Sequence, residues 1–329
     1  MRRMPVDWTD DPTAFRSRDW TSLVMSDPDG TLFHTPRYLK LYWEEFGSGL
    51  PHVAFVEEGA ETLSATAFEI TDGVARFLGG SEITDYLGPV GPPHQRERAA
   101  KELMASLASR GDWDTADLRG LPLEGGWFGA LVAGARGAAL QVETGDDRVA
   151  PLLPLPISLQ AYLAGLPRKL RHEIRRKRRR LLEALPSARF VEATAPTLVD
   201  DMAAFVQLHR SSMGRKGRFM YPGMELFFRR LADAFISDGT FRLVFLEADG
   251  TRIAGAVGFR DRRRFLLYNS AYDHARSALS PGIVLLTMLI EELIREDCEA
   301  LDLLKGDEEY KYRLGATPRR IGRLLLRRR

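Results

Sequence analysis

Residues 265–312 read FLLYNSAYDHARSALSPGIVLLTMLIEELIREDCEALDLLKGDEEYKY. The run begins as a strand, breaks at a polar loop, and resumes as an apolar helix from Pro281 to Glu296. Ala300–Leu304 follows as a second strand. Gly306-Asp307 makes a polar turn, and Asp307–Leu314 a short helix. Strand, helix and strand in this order form a crossover unit. Its polar, non-periodic residues collect in the loop before the first helix and the turn after the second strand. Chemistry is expected at those two places.

Upstream lies a meander of three strands, Thr240–Ala248, Arg252–Arg260 and Arg264–Ala271, with Asp249-Gly250 as a hairpin turn. The first half of the chain repeats the order. His52–Val56, Thr62–Ile70 and Val74–Leu78 are strands punctuated by Glu58-Gly59 and Asp72-Gly73. The loop GGSEITDYLGPVGPP (79–93) comes next, then helix His94–Ser109, strand Ala116–Leu118, helix Leu123–Ala135 and strand Ala139–Glu143. The two copies span about 52–144 and 240–326, the second closed by a strand near Ile321–Leu326. Their loops also correspond, Asp85-Tyr86 in the first and Tyr272-Asp273 in the second. The fold class is therefore α/β with mixed, mostly antiparallel sheets flanked by helices, in two domains, 1–150 and 151–329. Residues 1–30 are expected to wrap the surface, and Thr31–Phe46 to form a helix. Gly145-Asp146-Asp147 reads as a turn, and the prolines at 151, 154 and 156 as a link between the halves.

The 329 residues are 44% hydrophobic and 28% charged, the balance of a globular chain. No run approaches the ~18 apolar residues of a membrane span. MRRMPVDWTDDPTAF has no apolar core, so no signal peptide is expected and the cytoplasm is the default location. A single cysteine, Cys298, leaves no internal disulfide and no cysteine-based metal site. The net charge of +2 conceals a division: residues 1–150 carry 14 basic and 24 acidic side chains, the remainder 33 and 21. The basic half suits an anionic ligand, although attraction between the halves would leave the same signature.

The strongest charge signal is the helix 167–185. Leu170, Ile174, Leu181 and Leu185 share one face, and arginine and lysine fill the rest. Such a face fits RNA, an anionic lipid surface or a nucleotide, and equally a merely solvated helix. It lacks the aromatics of a base-stacking platform.

Ser280-Pro281-Gly282 opens a helix with a cap and a first-turn proline. The exposed N–H groups of that turn favour a phosphate, though an ordinary capped helix looks the same. Tyr310 and Lys311, adjacent on the short helix, pair a proton donor with a cation. Both suit a reaction that develops charge on a carbonyl oxygen and expels a thiolate or alkoxide. A solvated helix start is the plainer alternative. The six histidines show no metal-ligand spacing. His209, in a helix expected over Pro196–Met213, reads as a partly buried helper. Nucleophile-elbow, phosphate-loop and dinucleotide fingerprints are absent.

As a set, these residues resemble the GNAT acyltransferase superfamily, and within it the two-domain CelD-like branch related to the Fem aminoacyl ligases. HTPRYLKLYWEEFG (34–47) looks like that branch's opening helix, the 79–93 loop like its Asp-Tyr loop, and RKLRHEIRRKRRRLLE (168–183) like its basic linker helix. The most specific part is the series Tyr, Ser-Pro-Gly and Gly-Asp-Glu-x-Tyr-Lys across 266–316. The resemblance implies tandem GNAT-like domains and acyl transfer from acyl-CoA, acetyl-CoA first, to an amine by direct attack, without a metal. Tyr310, Lys311 and Asp85 would be catalytic. Ser280, Pro281 and Gly282, with Tyr268 and Asn269, would hold the donor. Tyr86, Tyr272, Asp307 and Glu308 would meet a small amine or amino-sugar acceptor in the cleft between the halves. The superfamily's usual phosphate loop, Gln/Arg-x-x-Gly-x-Gly/Ala, is replaced here by Ser-Pro-Gly. Aminoacyl-tRNA therefore stands as the alternative donor, and a non-catalytic scaffold for a polysaccharide-synthesis partner as a third reading.

Overall fold

The computed structural model describes residues 5–212 and 215–328. They form two compact units, one drawn from Met1–Val149 with Arg319–Arg329, the other from Ala150–Pro318. Among the described residues no helix is long and apolar enough to cross a membrane.

The first unit begins with β1 (Val6–Thr9), α1 (Arg18–Ser26) and α2 (Pro36–Phe46). Residues 5–30 are not the expected surface wrap. β1 pairs with the first meander strand, and Phe15, Trp20, Leu23 and Val24 are buried, an apolar spacing hidden by the polar composition around it. Helix α2 starts at Pro36, later than predicted, because Thr35 caps it by accepting the Tyr38 N–H at 3.3 Å. The meander is β2 (His52–Glu58), β3 (Glu61–Thr71) and β4 (Val74–Phe77). It is followed by α3 (Arg96–Ser109), β5 (Thr115–Pro122), α4 (Gly126–Gly137) and β6 (Gln141–Val149). Gly145-Asp146-Asp147 is not a turn. It runs inside β6 as a bulge, where the register steps from Arg148 to Asp146.

The second unit holds β7 (Leu152–Pro154), α5 (Leu159–Gly165), α6 (Arg168–Ala184), β8 (Arg189–Glu192), α7 (Leu198–Arg210), α8 (Arg215–Phe219) and α9 (Pro222–Phe235). The second meander is β9 (Phe241–Ala248), β10 (Thr251–Asp261) and β11 (Arg264–Tyr272), then α10 (Pro281–Arg295), β12 (Ala300–Asp302) and α11 (Glu309–Arg313). Helix α7 ends at Arg210, and its predicted extension to Met213 reaches outside the described residues. In the β9–β10 turn Asp249 and Gly250 both take positive φ, 49° and 74°, the geometry that matches the twist of paired strands.

The last strand, β13 (Arg320–Arg327), does not close the second copy as predicted. It lies in the first sheet, whose order is β1-β2-β3-β4-β5-β13-β6. There Ile321, Leu324 and Leu326 are buried, and Arg323 and Arg320 pair with Asp117 and Asp146 at 2.6 Å. The second sheet runs β7-β12-β11-β10-β9-β8 and takes its edge from the proline-rich link, where prolines cost no ladder bond.

Each sheet has one parallel pair joined by a crossover helix. β4 and β5 pair over two positions, β11 and β12 over three, ending at Leu266 and Asp302. Beyond those points β5 and β11 run on without that parallel partner, which leaves a gap in the pairing of each sheet. The apolar stripe of α10 (Val284, Leu285, Leu289, Ile290 and Leu293) packs on the second sheet together with Ile174 and Leu181 of α6, so the expected inward face of the basic helix is real.

Candidate active site

A cavity of about 280 Å³ lies in the second unit, built from β11, the start of α10, α11 and α6. Strand β11 supplies Ser270 and Tyr272 from the span beyond its pairing with β12. Helix α10 supplies Gly282, Ile283 and Leu286, and the residue before it, Ser280, completes the turn. Ser280 is left-handed, with φ 54° and ψ 47°, and its side chain makes no cap hydrogen bond. Its carbonyl accepts from the Val284 N–H at 3.2 Å. Helix geometry leaves the Gly282 and Ile283 N–H groups without an intrahelical acceptor, and both residues line the cavity. This is the positive end of a 15-residue helix.

Two cations stand beside it. Lys177, from α6, lies 2.7 Å from Glu173, whose carboxyl is held below its usual range chiefly by that hydrogen bond. Arg313 pairs with Glu309 at 2.7 Å and approaches Glu173 at 3.7 Å. Opposite, Tyr310 shares a hydrogen bond with Ser270. Burial, helped by the Glu308 charge, pushes its phenol far above the ordinary range. At neutral pH it is a protonated donor.

The cavity thus unites Tyr310, Tyr272, Ser280 and Gly282 of the predicted residues. Pro281 is buried as the first residue of α10 and preforms the turn. The others are placed elsewhere. Lys311 is buried, with its ammonium on the carbonyls of Leu304, Lys305 and Gly306 at 3.0, 2.9 and 3.1 Å, so it ties a turn together and does not line the cavity. Glu308 lies 3.0 Å from Lys311, and Asp307 takes the Tyr312 hydroxyl. Tyr268 stacks on Phe228 of α9 at 5.3 Å, and the Asn269 amide oxygen meets His209 of α7 at 3.1 Å, both on the sheet face away from α10. Asp85 and Tyr86 are buried in the first unit, where Arg319 bonds the Tyr86 hydroxyl. Tyr268 and Asn269 share that face because the ladder with β10 skips Tyr268, a bulge that interrupts the alternation of β11.

Ser270, Lys177, Arg313 and Leu286 were not anticipated. Arg313 follows Tyr310 by one helical turn, and Lys177 stands four residues after Glu173, spacings that carried the signal. The gap in the first sheet differs. The Leu87 N–H donates to the Gly120 carbonyl at 3.1 Å, and a Cβ on Gly120 would lie 3.0 Å from Leu87. The 79–93 loop thus packs into that gap. The remaining space, about 320 Å³, is lined by Arg119 and Asp117, which pair at 3.0 Å. Among the described residues no group of three or more His, Cys, Asp or Glu side chains is placed to hold a metal ion.

Residues 168–312 match the sequence model of the acetyltransferase (GNAT) domain family. No curated protein matches the sequence. Among solved structures, that of FemX is similar with a TM-score of 0.66 at 11% identity, over 93% of this chain and 95% of that one. The L-PGS of Bacillus licheniformis gives 0.60 at 11%, over 94% and 91%. A tandem GNAT protein from the clavulanic acid biosynthesis pathway gives 0.51 at 10%, over 97% and 98%.

Proposed function

We propose that the second unit transfers an acyl group from acyl-CoA to an amine, a reading supported by the acetyltransferase (GNAT) family match over residues 168–312 and by a fold similar to those of FemX and a tandem GNAT protein. The observation that carries this reading is the pairing, in one cavity, of a protonated Tyr310 with the unsatisfied N–H groups of α10. An acyl-CoA thioester brings a carbonyl open to attack and a thiolate as leaving group. The Gly282 and Ile283 N–H groups, with Lys177 and Arg313, suit its pyrophosphate. The amine nitrogen forms the new C–N bond, the C–S bond breaks, and Tyr310 gives its proton to the departing sulfur and regains one from solvent. The amine's surplus proton leaves to water. The acceptor is a small amine or amino sugar. Calorimetry with acetyl-CoA tests the donor: micromolar binding supports it, and absence of heat at millimolar concentration removes it.

One observation favours a second donor. The outward face of α6 carries Arg168, Lys169, Arg175, Arg176, Arg179 and Arg180, all exposed, over a helix of 17 residues. That row exceeds what one pyrophosphate needs and suits the phosphates of an aminoacyl-tRNA. Binding of charged tRNA that falls steeply with salt, in the absence of acetyl-CoA binding, would select this reading.

A further inference from the structure

Strand β11 changes the parity of its faces part-way along. Phe265 and Leu267 face α10 and belong to its apolar core. On an unbroken pleat Asn269 and Ala271 would follow them to that face. Instead the register with β10 passes from Gly258–Leu267 to Val257–Asn269, and Tyr268 is the extra residue of a bulge. Beyond it the even-numbered residues, Ser270 and Tyr272, turn to the cavity, and Asn269 turns to α7. Without the bulge, Tyr310 would lose its Ser270 partner.

The bulge is tied down from behind the sheet. The Asn269 side-chain oxygen accepts the Ser270 N–H at 2.8 Å and lies 3.1 Å from His209 Nε2. An amide oxygen only accepts, so Nε2 is the protonated ring nitrogen. The imidazole is fully buried between Phe205 and Phe219, at centroid distances of 6.1 and 5.8 Å. A donor in so apolar a place cannot exchange its partner for water, which makes the bond to Asn269 hard to give up.

We propose that His209 is a positioning residue of the cavity: through the Asn269 amide it holds the β11 bulge that turns Ser270 and Tyr272 toward Tyr310. The effect on acyl transfer rests on the donor reading above, whereas the effect on β11 does not. His209→Leu removes the donor, and His209→Gln keeps an N–H near the position of Nε2. Amide hydrogen exchange on the free protein reads the bulge directly. His209→Leu should speed exchange of residues 269–272 at least tenfold, leave β9 and the β9-facing half of β10 unchanged, and be restored within threefold by His209→Gln. A merely space-filling histidine would loosen α7 and the whole sheet alike, with no rescue by glutamine. That outcome, or wild-type exchange at 269–272 in the leucine variant, overturns the proposal. Should His209→Leu fail to fold, His209→Met fills the site without a donor and is read in the same way. Acetyl-CoA calorimetry on the same variants separates the two claims. Tenfold weaker binding in His209→Leu extends the effect to the donor. No binding by the wild type removes the donor reading, and the exchange result still decides the role of His209.

Discussion

Lys311 Nζ donates to the Leu304 carbonyl oxygen at 3.0 Å, across the turn that connects β12 to α11. Leu304 has φ 54° and Gly306 φ 125°, so the turn passes through conformations a leucine resists. Three ammonium donors meet three successive carbonyls there. The side chain fixes the turn that delivers Tyr310, one residue earlier, to the cavity.

Lys311→Met should therefore act on stability first. Losing a charged donor and leaving carbonyls unsatisfied costs about 3 kcal/mol. Lys311→Arg should not recover it, because a planar fork cannot meet the same three oxygens. Urea unfolding checks both. A methionine variant as stable as the wild type but slow in transfer would return Lys311 to the chemistry.

Tyr310→Phe should do the reverse. Its ring packs against the α10 core, and phenylalanine preserves that contact. Turnover should fall at least tenfold, about 1.4 kcal/mol or more in barrier, with the melting temperature nearly unchanged. The raised phenol range sets the pH dependence. Below about pH 10 neither folded nor unfolded chain ionises this group, so proton donation by Tyr310 should persist there. As pH rises further the unfolded chain ionises first, and stability declines while the folded phenol stays protonated. A transfer rate that falls with an apparent pKa near 8 would assign the proton to another group.

Gly282→Val tests the helix start. A Cβ at Gly282 would sit 3.2 Å from Tyr272 Cδ1, and valine adds two methyls to that contact. Donor binding should weaken at least tenfold with little change in unfolding, and Gly282→Ala should fall between. Unaltered calorimetry in both variants would move the donor away from α10.

The local grammar of this chain was legible. Asp72-Gly73 and Asp249-Gly250 announced the hairpins, and Ser280-Pro281-Gly282 announced the helix start that borders the cavity. Partnership was not. Ile321–Leu326 has the alternation of a strand, but alternation says nothing about which sheet receives it; β5 and β6, and the core that buries Leu324 and Leu326, lie far away in sequence. Facing was lost for a related reason. One inserted residue at Tyr268 reverses the face of every side chain after it, so Tyr268 and Asn269 looked as eligible as Ser270, which the structure puts in the cavity. Tyr310 and Lys311 show the same limit on a helix, where neighbours point about 100° apart.

His34 offers a test of the first unit that needs no ligand. Its Nδ1 accepts the Thr31 N–H at 3.1 Å in the turn that precedes α2. Burial pulls its pKa down to about 4, against the opposing pull of the Asp27 and Asp29 charges. The unfolded chain would take up a proton near pH 6.5, before the folded one does. The stability that the neutral ring confers is therefore complete above pH 6.5 and drains away as pH falls toward 4. Over that window the loss should reach about 3 kcal/mol for a shift of this size. His34→Gln keeps an acceptor for the Thr31 N–H and has no proton to gain. Urea midpoints at pH 7, 6, 5 and 4 should fall more steeply for the wild type than for the glutamine variant, the curves diverging below pH 6.5. Parallel curves would mean that His34 charges freely inside the fold, and that the carboxylates Asp27 and Asp29 outweigh its burial.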